Sequence, residues 1–316
     1  MLTPASRPTG CLGWLSDPLP ALDDVDGARV DPDLPYVVDA HVHLFPDRVF
    51  EAIYAWFDVH GWPVRHKLRS AEIVDFLLGR GVGQVVALHY AHRPGMARSL
   101  NAFMAELVRT RPRVTGVATV FPGEPEAAAI LREGFALGLR GVKLHCHVQA
   151  FAVDDPVLHD VYEACVAEDQ PLVVHAGREP RSDAYSVDTH TICGADRVEA
   201  VLRSYPRLRV SVPHLGADEL DAYGLLLERY DNLWLDTTMT MADYFPVDHP
   251  ERLVARRPER VMYGTDFPIV PYAWDRELGR IKRAGFSDDA LERILGKTAR
   301  EFHRLALPAS PAHTRT

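Results

Sequence analysis

The stretch YVVDAHVHLF, residues 36–45, decides how the rest of the chain is read. Its β-branched, apolar content suits a buried strand. Alternate strand residues share a face, so His41 and His43 project together while Ala40 and Val42 point the other way. Two imidazoles held side by side form half of a zinc-type site. A His-x-His pair is also common without a metal, and alone it reads equally well as a hydrogen-bonded core pair. Its meaning depends on what the later strands supply.

Seven further runs have strand character: QVVALH (84–89), RVTGVATV (113–120), LRGVKLH (139–145), PLVVH (171–175), LRVSVPH (208–214), NLWLD (232–236) and RVMYGTD (260–266). Longer amphipathic segments separate them, such as MARSLNAFMAELVR (96–109) and ADRVEAVLRSY (195–205). Pro112, Gly138, Gly141, Pro171 and Pro206 stand at the junctions, where breakers belong. Strands alternating with helices predict a parallel sheet, and eight such units close most economically as a (β/α)8 TIM barrel. An open doubly wound sheet would want a phosphate-binding glycine turn after a strand. The run GRGVG (79–83) precedes a strand instead.

Residues 1–35 are rich in Pro, Asp and Gly and read as an N-terminal arm; 36–306 form the barrel, and 307–316 a flexible tail. The segment 45–70 separates the first strand from its helix by more than a short loop and carries Phe45, Trp56 and Trp62. It is expected to form an inserted lid over the site. Its aromatic density also suits a homodimer contact.

The chain is 47% apolar and 25% charged, the balance of a soluble globular protein with a large core. A net charge of −9 with scattered basic residues argues against a nucleic-acid surface. Neither a secretory-type apolar segment nor a run of about 20 apolar residues is present, so no membrane association is expected. Cys11, Cys146, Cys165 and Cys193 include no C-x-x-C pair and are too sparse for a disulfide framework, which fits a cytoplasmic location.

The strand ends carry the chemistry. His41 and His43 stand on the first, Lys143 on the fourth, His175 on the fifth, His214 on the sixth and Asp266 on the eighth. A barrel brings its strands' C-terminal ends to one face, so these scattered side chains can converge. With VVDAHVHLF, GVKLHCHVQAF, PLVVHAG, VPHLG and MYGTDFP in this order, the chain resembles the amidohydrolase superfamily. Within it, the similarity is to the amidohydrolase-related branch of aminocarboxymuconate-semialdehyde decarboxylase-like barrels.

That resemblance implies that His41, His43, His175 and Asp266 hold a divalent ion, zinc in the first instance, and that His214 and Asp266 are catalytic. It also implies two states for Lys143: an unmodified amine beside one ion, which is the expected state, or a carbamate ligand bridging two. An ion of this type brings the pKa of bound water from about 15.7 to about 7. Hydrolysis of an ester, lactone or amide is the expected reaction, with non-oxidative decarboxylation in the same fold as the alternative. A binding barrel without turnover fits the intact ligand set less well. Lys143, His145 and Arg178 are expected to contact the substrate, which their donors mark as a small anion.

Overall fold

In the computed structural model, residues 14–15, 20–178, 181–245 and 247–306 are described. Eight short parallel strands form the centre: β1 Val38–His43, β2 Gln84–Leu88, β3 Val114–Gly116, β4 Val142–His145, β5 Leu172–His175, β6 Val210–Val212, β7 Leu233–Asp236 and β8 Val261–Met262. Strands β1 to β3 form one ladder and β4 to β8 another. Backbone hydrogen bonds close both seams: Ala118 N and Lys143 N donate to Gly141 O and Ala118 O at 2.9 Å, and Ala40 N and His43 N donate to Tyr263 O and Phe267 O at 2.9 Å. The result is the closed barrel read from the strand pattern. All eight expected runs contain a strand, although the third and sixth are shorter than their apolar stretches, because the chain turns toward the mouth before those stretches end.

Period-2 alternation sorts the strand residues into two layers. Val85, Ala87, Val142, Leu144, Val174, Val212 and Leu235 face outward and join the helices in the main core. Val38, Ala40, Val86, Leu88, Val117, Val173 and Met262 face inward, where Phe302 of the C-terminal helix Thr298–His303 packs against them. The lower barrel is therefore filled with apolar side chains and its upper part with titratable ones.

In β1 the alternation breaks. The register against β2 slips between Asp39 and Val42, a bulge that adds one residue to the count. Ala40 consequently sits with the inner cluster, contrary to simple alternation, and His41 and His43 still reach the interior above it. At the neighbouring β8 end, Gly264 permits this approach: a Cβ there would stand 2.7 Å from His41 Cβ and from Thr238 Oγ1.

The surrounding helices form where the apolar spacing is helical. Ala97–Arg109 buries Ala97, Leu100, Asn101 and Met104 at i, i+3, i+4 and i+7. The segment after β1 is a helix, α1 Asp47–His60, followed by a loop and then α2 Ser70–Gly79. The arm is strapped to the barrel by charge: Asp24 accepts from Arg65 at 3.1 Å, from Arg276 at 3.2 Å and from Ala273 N at 3.0 Å. Trp14–Leu15 pairs in parallel with Arg181–Ser182. The expected tail, residues 307–316, lies outside the described residues, as do 1–13 and 16–19 of the arm. Among the described residues, no helix is long and apolar enough to cross a membrane.

Candidate metal centre

Two groups of metal-capable side chains meet at the C-terminal mouth of the barrel. The first is His41, His43 and Asp266, whose donor atoms all lie within 4.8 Å of one another. Asp266 Oδ1 stands 2.9 Å from His43 Nε2 and 3.4 Å from His41 Nε2, so two imidazoles and a carboxylate converge on a point. Burial lowers the His41 pKa to about 4, with the Lys143 charge acting the same way, and the ring is neutral at ordinary pH. Burial works to raise the Asp266 pKa, but His43 outweighs it, and the carboxylate titrates below its ordinary value. Imidazoles and an ionised carboxylate are the donor set of a zinc-type ion, so these residues fit the group.

On the His41 side the support is anionic, whereas burial raises the Asp39 carboxyl to about 7. His41 Nδ1 donates to Asp236 Oδ2 at 2.8 Å, and Asp236 also accepts from His214 N at 3.1 Å and from Thr238 Oγ1. Burial opposes ionisation of Asp236, yet the His41 ring and these other donors bring its pKa down to about 2. A carboxylate on the far nitrogen of a ligating histidine fixes its tautomer and makes it a stronger donor. Asp236 is a residue of this group's surroundings that the strand-end reading did not single out, although NLWLD ends on it. The signal was the same one that found His175. Asp39 supports the opposite side, accepting from Thr265 Oγ1 at 2.6 Å and Thr265 N at 3.1 Å.

His214 and Asp266 stand just past their strands with φ of 58° and 64°. Left-handed φ on a non-glycine residue is uncommon and costs on the order of 1 kcal/mol or more, so both positions store strain at the mouth. His214 Nδ1 donates to Thr238 O at 3.1 Å. In the neutral ring this puts the lone pair on Nε2.

The second group is His145, His147 and His175, again with donor atoms within 4.8 Å of one another. His145 and His175 are partners in the β4–β5 ladder, and their rings stack at 3.8 Å with an interplanar angle of 11°. The strand ends at His145, and Cys146–Gln149 is a helical turn, so His147 reaches the group from that turn rather than from an extended strand. His175, which the resemblance placed with His41 and His43, converges with this second group, because β5 lies across the barrel from β1 and β8. Its ring is 4.8 Å from that of His214.

Between the groups lies a cavity walled by His43, His145, His175, His214 and Asp266, with Trp56, Phe57 and Trp62 from α1 and the loop after it, and with Tyr90, Tyr185 and Phe245. The inserted segment thus supplies part of the wall. Lys143 is fully buried, with Nζ 3.5 Å from His41 Nε2, and lies beneath the floor rather than on the wall. An inward residue two positions below His145 sits one layer deeper than the wall on which the expected substrate contact would lie. Arg178 also departs from expectation. Its guanidinium faces Glu219 at 3.6 Å and borders a surface hollow with His190, Thr191, Asp196 and Arg197, because the chain turns outward at Gly177, where φ is 96°. Of the three expected substrate contacts, only His145 lies on the described wall.

A family model described as Amidohydrolase matches residues 38–305. Several solved structures share the fold. The 5-carboxyvanillate decarboxylase from Sphingomonas paucimobilis superposes with a TM-score of 0.61 at 19% identity, covering 89% of this chain and 100% of that one. A second 5-carboxyvanillate decarboxylase, from Novosphingobium aromaticivorans with bound manganese and 3-methoxy-4-hydroxy-5-nitrobenzoic acid, gives 0.63 at 16% identity, over 88% of this chain and 100% of that one. An amidohydrolase from Burkholderia multivorans with bound zinc gives 0.64 at 18% identity, over 86% and 100%. No significant match was found among curated proteins.

Proposed function

Because the chain belongs to the amidohydrolase family of metal-dependent enzymes, we propose that it is a hydrolase that adds water across an ester, lactone or amide bond of a small, carboxylate-bearing molecule. His41, His43, His175 and Asp266 would hold one divalent ion, and zinc is the assignment that the imidazole-rich donor set favours. Such an ion supplies Lewis-acid polarisation of the scissile carbonyl and lowers the pKa of water. Lys143 stays an unmodified amine beneath this site.

The observation that supports hydrolysis is the His214 Nδ1 bond to Thr238 O. A ring pinned in that tautomer offers Nε2 as a proton acceptor, and the cavity wall places it where water can reach it. Asp266, held ionised by His43, is an acceptor as well. Both groups can take a proton from water, and His214 can return it to the leaving group. Decarboxylation needs a proton delivered to carbon, and Asp266, held ionised, carries none at rest.

Decarboxylation is the second reading, favoured by the aromatic wall of Trp56, Phe57, Tyr90, Tyr185 and Phe245, which suits a flat ring. The 5-carboxyvanillate decarboxylases of similar fold support it too. The test is a panel of lactones, esters and aromatic carboxylates offered to metal-replete protein, with acid release and carbon dioxide followed separately. Acid release that disappears in His214→Asn is expected. Carbon dioxide release without hydrolysis of any member would replace this reading with the second.

A further inference from the structure

We propose that Glu277, which lies outside the mouth, is a positioning residue for His214: together with Arg276 it grips the loop 237–242 from behind, and that loop holds the His214 ring. The proposal deepens the reading of His214 as the proton acceptor, and for its part in catalysis it rests on that reading.

The loop meets His214 at two points. Thr238 O accepts from the ring at Nδ1 at 3.1 Å, and Thr240 Oγ1 donates to His214 O at 2.7 Å. Thr238 Oγ1 also donates to Asp236, which accepts from His214 N at 3.1 Å. The ring, carbonyl and amide of one residue are therefore all held by residues 236–240. Whatever fixes this loop fixes the direction in which the His214 ring points.

The backbone here does not relax into its shape unaided. Met239, in the middle of the loop, has a φ of 60°, and His214 and Leu215 have φ of 58° and 52°. Residues other than glycine rarely adopt this region, and they keep it only where the surroundings over-determine it. The helix Arg276–Arg283 supplies that restraint. Glu277 Oε2 accepts from Met239 N at 2.9 Å, and Arg276 Nε donates to Ala242 O at 2.6 Å. Two consecutive side chains thus take an amide and a carbonyl of the same loop.

Glu277 stands where packing alone would favour an apolar side chain. It shares the buried face of that helix with Leu278 and Ile281 and is 1% exposed. Its Oε1 is buried and meets no hydrogen-bond partner among the described residues. A carboxyl buried on those terms costs stability that a leucine would not. What it contributes is the acceptor on Met239 N. Burial raises its pKa well above the ordinary carboxylate value, so Glu277→Gln matches the side chain in charge as well as in shape.

The test follows side-chain N–H protons by 15N-edited NMR of full-length, zinc-loaded protein, with His214 assigned by the signal missing in His214→Asn. In wild type the proton on His214 Nδ1 is expected to exchange slowly with solvent. Glu277→Met keeps a similar volume without the acceptor and should speed that exchange by at least about tenfold, whereas Glu277→Gln should leave it within about twofold. The Trp62 Nε1 proton, which is donated to Ile269 O at 3.2 Å elsewhere on the cavity wall, should keep its rate in all three proteins. That control separates a loosened loop from a loosened fold. If Glu277→Met does not fold by circular dichroism, Arg276→Met, which frees the other end of the loop, carries the same expectation. His214 exchange that is unchanged in the folded variant, is raised equally in Glu277→Gln, or rises together with that of Trp62 overturns the positioning role. Turnover enters no arm, so such a result leaves the hydrolase reading standing, and a substrate panel without hydrolysis fails that reading without touching the exchange rates.

Discussion

The two histidine groups share a mouth and a residue type but differ in what stands behind them. The β1/β8 group is backed by carboxylates: Asp236 on His41 and Asp39 on Thr265 beside Asp266. The β4/β5 group is held through its backbone, where the Gln149 side chain accepts from His145 N at 2.8 Å. A carboxylate behind a ligating imidazole makes it a better donor, whereas an amide on the backbone orients without adding charge.

The largest effect that could break this contrast comes from the first group. His43→Ala removes a donor 2.9 Å from Asp266 and is expected to lower kcat/KM by at least about 10³-fold, with loss of its ion shown by metal analysis. Full activity with the ion missing would mean that chemistry belongs to the other side. Asp236→Asn keeps the shape and removes the charge behind His41. Metal affinity measured against a chelator should fall by about 10- to 100-fold, and an unchanged affinity would erase the difference between the two groups.

Acid should act on both groups together. His41, with a folded pKa of about 4, and His303, at about 3, are neutral in the fold, chiefly through burial. The unfolded chain takes up protons near pH 6.5, so each such histidine costs stability as pH falls from there toward its folded pKa. The slope is about 1.4 kcal/mol per pH unit for each group. Because His303 belongs to neither metal-capable group, His303→Gln should flatten the decline of Tm below pH 6.5 without altering metal content. A decline of undiminished slope would place its origin elsewhere. The smallest effect is expected for Arg178→Ala, whose side chain is 41% exposed and paired with Glu219: KM should move by less than about twofold. A tenfold rise would return Arg178 to the substrate.

Much of the fold could be read in advance, because β-branched runs and breakers recur with helical spacing between them. The strand-end rule pointed to His41, His43, His175, His214 and Asp266, which the fold brings to one mouth, and it would have pointed to Asp236 had the seventh strand been treated like the others. It failed for Lys143 and Arg178 for different reasons. Lys143 obeys the alternation, but depth within the barrel depends on strand stagger, which a linear pattern does not contain. Arg178 lies three residues past His175, and a left-handed turn at Gly177 sends it outward. The bulge in β1 is a further case, since it arises from pairing with β2 and leaves no mark in VVDAHVH itself.

The sequence by itself determined the eight-stranded barrel and the family, because these follow from local periodicity, turn chemistry and residue type. Only the tertiary structure decided how the metal-capable side chains divide. Ring nitrogens come within ligating reach according to which strand ends are neighbours around the closed barrel, so His175 joins His145 and His147, and Asp266 joins His41 and His43. Residue type makes a ligand possible; barrel closure and stagger choose its partners, since donor atoms must meet within a few ångströms.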